Sequence, residues 1–205
     1  MKLYLFCLLA VLASSPALAQ VDEEAQVITD EMTLARIAMS QRKYADAEIL
    51  YRSQVEKYPD DQSLKQMLVQ SMIYQKKYQE SDSMLRKWIS TDSNNAGNYW
   101  YKGLMAEHQL QDSAAIYWFK KFIIKSAKSH NENPKAWLHV GSGYRRMMHS
   151  KGITAKQVDD LVSHYEKYLE KYPQEVYGDD MRMFLEKLKE RKPKAGELLV
   201  WDEQE

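Results

Sequence analysis

The chain carries five His, one Cys and many acidic residues, the side chains from which a metal or catalytic site would be built. None of the histidines belongs to an HExxH pattern or to a paired His/Cys spacing of the kind that binds zinc. Gly141-Ser142-Gly143 is not a nucleophile turn, because a helical apolar pattern runs through it. Asp179 and Asp180 stand at a predicted helix start, where the positive end of the helix accounts for them. The sequence therefore predicts no catalytic constellation, no cofactor and no metal site.

The composition excludes several broad classes of protein. Among 205 residues, 29 Lys and Arg balance 29 Asp and Glu, so the formal net charge is +0. A neutral chain lacks the basic excess of a general nucleic-acid binder. Apolar residues make up 44% of the chain, which excludes wholesale disorder, and the single Cys excludes a disulfide framework. The low counts of 7 Gly and 5 Pro favour helices over a turn-rich β fold.

The pattern of the first 19 residues predicts a cleaved signal peptide. An apolar run from Leu3 to Ala13 is followed by Ala17-Leu18-Ala19, the small-x-small pattern of a signal peptidase site. The run is too short to span a bilayer, which takes about 20 apolar residues. Cys7 follows the bulky Tyr4-Leu5-Phe6, so a lipid anchor is not expected. We therefore expect a periplasmic or secreted protein whose mature chain has no Cys, which suits an oxidising compartment.

A 34-residue period organises the rest of the chain. Tyr44-Ala45-Asp46-Ala47 returns in outline as Tyr78-Gln79-Glu80-Ser81 and then as Asp112-Ser113-Ala114-Ala115. Apolar residues recur at i, i+3 and i+4 on both sides of each motif, which predicts two helices per unit. Each helix has a single apolar stripe and must stack on its neighbours to bury it. The pattern therefore predicts an all-α solenoid.

The units resemble tetratricopeptide repeats (TPR), helical hairpins with small residues at the helix crossing, aromatics in the second helix and Pro at its end. The matching residues are Leu34, Ala35, Tyr44, Ala47, Tyr51 and Pro59 in the first unit and Trp137, Val140, Gly141, Tyr144, Tyr165 and Pro173 in the fourth. Lys102 departs from the pattern, because Leu is usual there. The fourth unit is longer than the others, with the surplus at Met147 to Ile153. Asn133 is predicted to cap its first helix, and Thr154-Ala155-Lys156-Gln157 fits a capping box at the start of its second.

The resemblance implies a TPR-type array over residues 20–193. Its units are expected at about 28–61, 62–95, 96–129 and 134–175, about four helical hairpins in all, with a C-terminal capping helix at 176–192. Residues 194–205 are predicted to be a flexible acidic tail with a short apolar patch at Leu198 to Trp201. That patch could support self-association of the chain.

In TPR proteins the first helices line a groove that holds a peptide or a partner helix. When the groove-facing positions of TPR proteins are carried over by register, they predict a binding set rich in aromatics, amides and Arg. Aromatics and Arg are typical of binding hot spots. The alternative is that the apolar members only pack the core. The TPR carboxylate clamp is not expected, since Met32, Gln66 and Gln70 stand at its key positions. The predicted set is Arg36, Met39, Gln66, Gln70, Tyr74, Trp100, Glu107, His108, Arg145 and Arg146.

Charge is unevenly distributed despite the neutral total. The segment from Phe119 to Lys151 has eight Lys and Arg and one acid, Glu132. These cations could be ordinary solvated helix faces or a patch for an anionic partner. The hypothesis of a basic patch for an anionic partner depends on Lys120, Lys121, Lys125 and Lys128.

Two functional hypotheses follow. The first is a non-enzymatic scaffold or adaptor of the bacterial cell envelope that binds another envelope protein or peptide in the groove, with no nucleic acid and no transmembrane span. The alternative is a binding module for an anionic or glycan envelope polymer through the basic 119–151 region. An enzyme with accessory repeats is poorly supported, because the repeats leave no room for a separate catalytic domain.

Overall fold

The computed structural model describes residues 31–129, 132–174 and 178–201. The predicted signal peptide at 1–19 lies outside these residues. The helices are α1 (31–40), α2 (Tyr44–Lys57), α3 (Gln62–Tyr74), α4 (Tyr78–Thr91), α5 (Ala96–His108), α6 (Asp112–Lys128), α7 (Lys135–Ser150), α8 (Ala155–Lys171) and α9 (Gly178–Glu190). The strands are β1 (Ile153–Thr154) and β2 (Leu198–Leu199). The described chain is thus an all-α, solenoid-like fold with one short β-ribbon.

The chain divides into two compact units, Met1–Leu68 and Val69–Glu205. In the first unit, Ala35 on α1 and Ala47 on α2 are fully buried beside the equally buried Tyr51. Glu31 accepts a hydrogen bond from Gln54 and pairs with Lys57 at 3.2 Å, which ties the described start of α1 to the end of α2. Small residues between two helices thus allow close packing against an aromatic ring.

The turn between the two helices of a hairpin repeats with the 34-residue period. Arg42, Lys76 and Leu110 each have a positive φ, at 59°, 62° and 57°. In each turn, the N–H of the residue after the positive-φ residue donates to the carbonyl five positions earlier, near the end of the first helix. Lys77 N, for example, donates to Met72 O at 3.0 Å. This left-handed residue closes the first helix with the hydrogen bonding of a Schellman-type end. Three hairpins therefore share one backbone turn although their turn residues differ.

Side chains cap three helix starts in the second unit, two of them predicted from the sequence (Asn133 and Thr154) and one found in the structure (Asn95). Thr154 Oγ1 accepts from Gln157 N while the Gln157 side chain accepts from Thr154 N, which confirms the predicted capping box. Asn133 Oδ1 accepts from Lys135 N at 3.0 Å, and Asn95 Oδ1 accepts from Gly97 N at 3.1 Å. These side chains satisfy backbone N–H groups that the helices themselves leave without partners.

Glycines mark the closest helix crossings in the second unit. A Cβ atom on Gly103 would lie 2.8 Å from the ring of Phe119, and one on Gly141 would overlap the Tyr165 hydroxyl. Phe119 and Tyr165 are both buried. The small residues of α5 and α7 are therefore required by the aromatic rings of α6 and α8 that press against them.

The surplus residues of the fourth unit build a small ribbon with the tail. Ile153 pairs with Leu199 and Thr154 pairs with Leu198 in antiparallel register. Gly152 enters this ribbon at φ 76°, where a Cβ would lie 2.9 Å from Leu198 Cβ. Leu199 is buried in the main core, which supplies the driving force for the pairing.

The flexible tail predicted for 194–205 is therefore wrong for its β2 segment. An apolar side chain at Leu199 that can reach the core outweighs the usual fraying of a chain end. Residues 202–205 lie outside the described residues. Among the helices that the structure describes, none is both long and apolar enough to cross a bilayer.

Candidate functional site

Side chains on α3, α5, α7 and α9 contact each other in succession. Tyr74 on α3 meets His108 on α5 with ring centroids 5.4 Å apart. Trp100 on α5 meets His139 on α7 at 5.4 Å, and the Arg145 guanidinium on α7 lies 4.3 Å from the ring centre of Phe184 on α9. We call this strip the first-helix surface. It consists of Gln70, Tyr74, Trp100, Glu107, His108, His139, Arg145, Arg146 and Phe184.

Trp100 is held by rings on three sides. It makes edge contacts with Phe119 at 5.4 Å and with Phe122 at 5.3 Å in addition to His139. His139 in turn stacks on Phe119 at 4.5 Å with an interplanar angle of 12°. Trp100 is half-buried, so one part of its ring packs the core while the rest stays accessible. The packed part of the ring fits the core interpretation of Trp100, and its role as a binding anchor stays a prediction.

A cluster of charges joins α5, α6 and α7. Glu107 pairs with Arg146 at 3.0 Å and with His139 at 2.8 Å, and Arg146 Nε donates to Asp112 at 2.7 Å. Burial alone would raise the pKa of Glu107, but His139 and Arg146 outweigh it and lower that pKa. Arg146 therefore neutralises acids of its own chain, and Arg145 is the more exposed of the two arginines.

The surface ends in a cleft between α7 and α9, which we call the C-terminal cleft. It encloses about 660 Å³ and is lined by Arg145, His149, Asp180, Met183, Phe184, Lys187 and Trp201. Met183 is 62% exposed although it is apolar. Sequence reasoning missed Met183, Lys187 and Trp201, because the cleft forms only once the ribbon has brought Trp201 beside the capping helix.

Three residues of the predicted binding set lie in the first compact unit. Arg36 is exposed, whereas Met39 and Gln66 are half-buried. In the second unit, Gln70 donates from Nε2 to the Tyr74 hydroxyl at 3.2 Å. The contacts given above thus bring together Tyr74, Trp100, Glu107, His108, Arg145 and Arg146 of the predicted set, with Gln70 beside Tyr74.

The basic segment is partly neutralised in the folded chain. Lys120 forms an ion pair with Asp160 on α8, and Lys125 donates to Asn94 at 3.0 Å. Lys121 lies 5.6 Å from the ring centre of Tyr117, and Lys128 is exposed. The net positive charge around this segment is therefore smaller in the folded chain than a count along the sequence indicates.

Lys102, the departure from the repeat pattern, is buried with 4% of its surface exposed. It forms an ion pair with Asp82 on α4 and lies 5.3 Å from the ring centre of Trp118 on α6. Burial would raise the pKa of Asp82, but Lys102 and Arg86 outweigh it and lower that pKa. A charged pair thus replaces the usual apolar residue, and a cleft of about 440 Å³ opens beside it. Across the three described segments of the chain, no three His, Cys, Asp or Glu side chains cluster to hold a metal.

Comparisons with solved structures agree with the helical-repeat fold. Thirteen chains of solved structures match, among them a tetratricopeptide repeat protein from Parabacteroides merdae. That match has a TM-score of 0.57 at 15% sequence identity and covers 80% of this chain. It covers 61% of the other chain, so this chain spans about three-fifths of the length of its structural neighbour. No family model and no curated protein sequence matches the chain. The likeness shows a TPR-like fold.

Proposed function

We propose that this chain, which has a TPR-like fold, is a non-enzymatic scaffold of the bacterial cell envelope. The first-helix surface would bind an extended peptide or a partner helix from another envelope protein. The single observation that carries the proposal is the contact series Tyr74–His108, Trp100–His139 and Arg145–Phe184. It supports the proposal because four residues of the predicted set, Tyr74, Trp100, His108 and Arg145, take part in contacts between successive helices.

Preorganisation would supply the binding mechanism. The ring contacts of Trp100 and the ion pairs of Glu107 hold these side chains in place before any partner arrives. Fixed side chains lose little rotamer freedom on association, a cost of about 0.5–1.5 kcal/mol for each mobile side chain. Exposed His108 and Arg145 remain available for polar contacts at the rim of the half-buried aromatic centre.

The envelope location rests on the signal-peptide pattern at residues 1–19. Cell fractionation followed by mass spectrometry of the mature N-terminus tests it. Export predicts a periplasmic or secreted chain that begins at Gln20. A chain that keeps Met1 and stays with the cytoplasmic fraction would contradict the location but not the binding surface.

Partner capture tests the binding surface itself. The double variant His108→Ala, Arg145→Glu changes two exposed residues of the first-helix surface and spares the ring cluster around Trp100. We expect this variant to capture at least tenfold less partner from cells than the wild-type protein does. The matched control is Tyr117→Ser, Lys121→Gln on the exposed face of α6, which should capture partner like wild type.

A second candidate function is supported by that exposed face of α6. Tyr117, Lys121, Ile124 and Lys128 recur at helical spacing, and Tyr117 and Ile124 are 51% and 58% exposed. We propose as the alternative that this face, with Lys120 and Lys125 beside it, binds an anionic or glycan envelope polymer. Co-sedimentation with isolated cell wall in low and high salt tests it, because salt screens exposed charges. Salt-sensitive binding that Lys121→Gln, Lys128→Gln removes would favour this alternative.

A further inference from the structure

The cleft beside Lys102, which we call the Lys102 cleft, lies between α4, α5 and α6. Its volume of about 440 Å³ falls in the range of about 300–1,000 Å³ that is usual for small-molecule sites. Its described lining residues belong neither to the first-helix surface nor to the C-terminal cleft. The ligand that it fits is therefore set by its own side chains.

Lys102 supplies a buried ammonium group to the wall of this cleft. Its side chain is 5% exposed and forms an ion pair with Asp82. Among the residues that the structure describes, Asp82 is the one hydrogen-bond acceptor of this ammonium group, which has three N–H groups to donate. Buried donors without an acceptor cost free energy, so a ligand that offers acceptors here is bound favourably.

The charges of the lining leave a positive excess. Arg86 Nε donates to Asp82 Oδ2 at 2.5 Å, while Lys102 donates to Oδ1, so two cations share one acid. Asp82 is the single acid among the described lining residues. The lining thus carries one net positive charge, which a single carboxylate of a ligand would balance.

Three glutamine side chains add neutral polar groups to the lining. Gln79 lies on α4, and Gln109 and Gln111 flank the turn residue Leu110 between α5 and α6. Within the described part of the chain, these three amides have no side-chain hydrogen bond. An amide group can both donate and accept hydrogen bonds, as a hydroxyl group does, so the two pair well. The glutamines therefore suit a ligand with several hydroxyl groups.

Trp118 and Met105 give the cleft an apolar wall. The indole ring of Trp118 is held by Tyr117 at 4.8 Å and by Tyr99 at 6.2 Å between ring centroids. The ammonium group of Lys102 lies 5.3 Å from the centre of the same ring. An aromatic ring buries apolar C–H groups well. The wall thus offers an apolar surface directly beside the buried cation.

We propose that the Lys102 cleft binds a monosaccharide that carries one carboxylate, the chemistry of a uronic acid. The carboxylate accepts hydrogen bonds from Lys102 and Arg86. The hydroxyl groups pair with the three glutamine amides, and the C–H groups of the sugar ring pack against Trp118 and Met105. This site depends neither on the proposed scaffold function nor on polymer binding by the exposed face of α6.

Isothermal titration calorimetry of the purified full chain with glucuronate and galacturonate tests the proposal. Glucose and galactose, which lack the carboxylate, and acetate, which lacks the sugar ring, are the matched ligands. We expect saturable one-to-one binding of at least one uronic acid and at least tenfold weaker binding of its neutral sugar and of acetate. Absence of binding by both uronic acids, or equal affinity for acetate, would overturn the proposal.

Variants test whether the Lys102 cleft is the site. Lys102→Met restores the apolar character that the repeat pattern favours, and it should weaken uronic acid binding at least tenfold. Arg86→Gln removes a guanidinium group whose side chain is 77% exposed, so this variant tests the site even where Lys102→Met does not fold. It should weaken binding at least threefold.

Lys87→Gln is the matched control for Arg86→Gln. Lys87 is the exposed cation next to Arg86 on α4 and does not line the cleft. This variant should bind the uronic acid as the wild-type protein does. Wild-type affinity in Arg86→Gln, or the same loss in Lys87→Gln, would overturn the assignment of the site.

Two-dimensional NMR of the indole N–H groups locates the ligand independently of any charge change. The uronic acid should shift the signal of Trp118. The signal of Trp137, whose ring stacks on His164 in the core, should stay in place. A Trp118 signal that does not move at a saturating concentration of the uronic acid would contradict binding in the Lys102 cleft.

Discussion

Glu107 and Arg146, 39 positions apart in the chain, lie 3.0 Å apart and join α5 to α7. Arg146 also holds Asp112 at 2.7 Å, so it bridges two helices at once. A residue assigned by register to partner binding is thus committed to the interior contacts of the array. The first-helix surface is consequently less basic than the sequence indicates, and Arg145 is its principal exposed cation.

Arg146→Ala should destabilise the fold, because it leaves two half-buried carboxylates without their shared partner. We expect a loss of about 1–2 kcal/mol in the free energy of unfolding, measured by urea denaturation. Lys135→Ala, an exposed cation at the start of the same helix, is the comparison and should cost less than about 0.5 kcal/mol. Equal losses in the two variants would show that the Glu107 cluster does not hold the helices together.

Gly141→Ala should lower the melting temperature through overpacking. The added methyl group would overlap the Tyr165 hydroxyl at a crossing where both Gly141 and Tyr165 are buried. Forced overpacking costs about 1–3 kcal/mol, which corresponds to about 3–10 °C for a chain of this size. Ser142→Ala, exposed on the same helix, should leave the melting temperature within about 1 °C. A Gly141→Ala protein as stable as wild type would contradict the close crossing.

His164 should make stability fall with decreasing pH. Burial, together with the nearby charges of Lys120 and Lys167, lowers the pKa of His164 to about 4, against 6.5 for a free imidazole, although the hydrogen bond to Trp137 and the charge of Asp160 act in the opposite direction. In the unfolded chain His164 therefore takes up a proton between pH 6.5 and about 4, whereas in the folded chain it stays neutral over that range. Stability is lost across that window, by about 3 kcal/mol once the pH is below the folded pKa.

The His164→Gln variant isolates this effect. His164 Nε2 donates to Trp137 O at 3.0 Å, and a Gln amide can donate in the same direction without titrating. The difference in unfolding free energy between wild type and variant should shrink as pH falls from 7 to 4. A difference that stays constant with pH would show that His164 titrates alike in both states.

Gly152→Ala should open the ribbon and release the tail. The residue has φ 76°, and an added Cβ would approach Leu198. Gly196→Ala is the control, because its φ is 88° while nothing lies within 4 Å of its added Cβ. Both variants bear the cost of a non-glycine residue at positive φ, and only Gly152→Ala adds a steric clash with Leu198. Amide hydrogen exchange at Leu198 and Leu199 should rise at least tenfold more in Gly152→Ala; equal rises would contradict the close pairing.

The sequence predicts the helical hairpins because small residues and aromatics recur at fixed spacing, and such local patterns survive in the fold. It also predicts the capping box at Thr154, which depends on neighbouring residues alone. The ion pairs Glu107–Arg146, Lys102–Asp82 and Lys120–Asp160 could not be predicted. They join residues 20 to 40 positions apart, and only helix packing brings them together.

The tail illustrates the same limit. Leu198 to Trp201 is recognisable as an apolar patch, but its partner strand at Ile153 lies in a segment that reads only as surplus between two helices. A two-residue strand has too little pattern to be predicted. The C-terminal cleft, which depends on this pairing, was therefore missed along with Lys187 and Met183.

Site-specific photo-cross-linking in living cells shows which face of the helical array contacts a partner. A photoreactive amino acid is placed at His108 or at Arg145 on the first-helix surface, and at Tyr117 on α6 for comparison. We predict one discrete protein adduct shared by positions 108 and 145 and absent at 117. Adducts at 117 with none at 108 or 145, in a folded protein, would contradict the claim that the first-helix surface binds the partner.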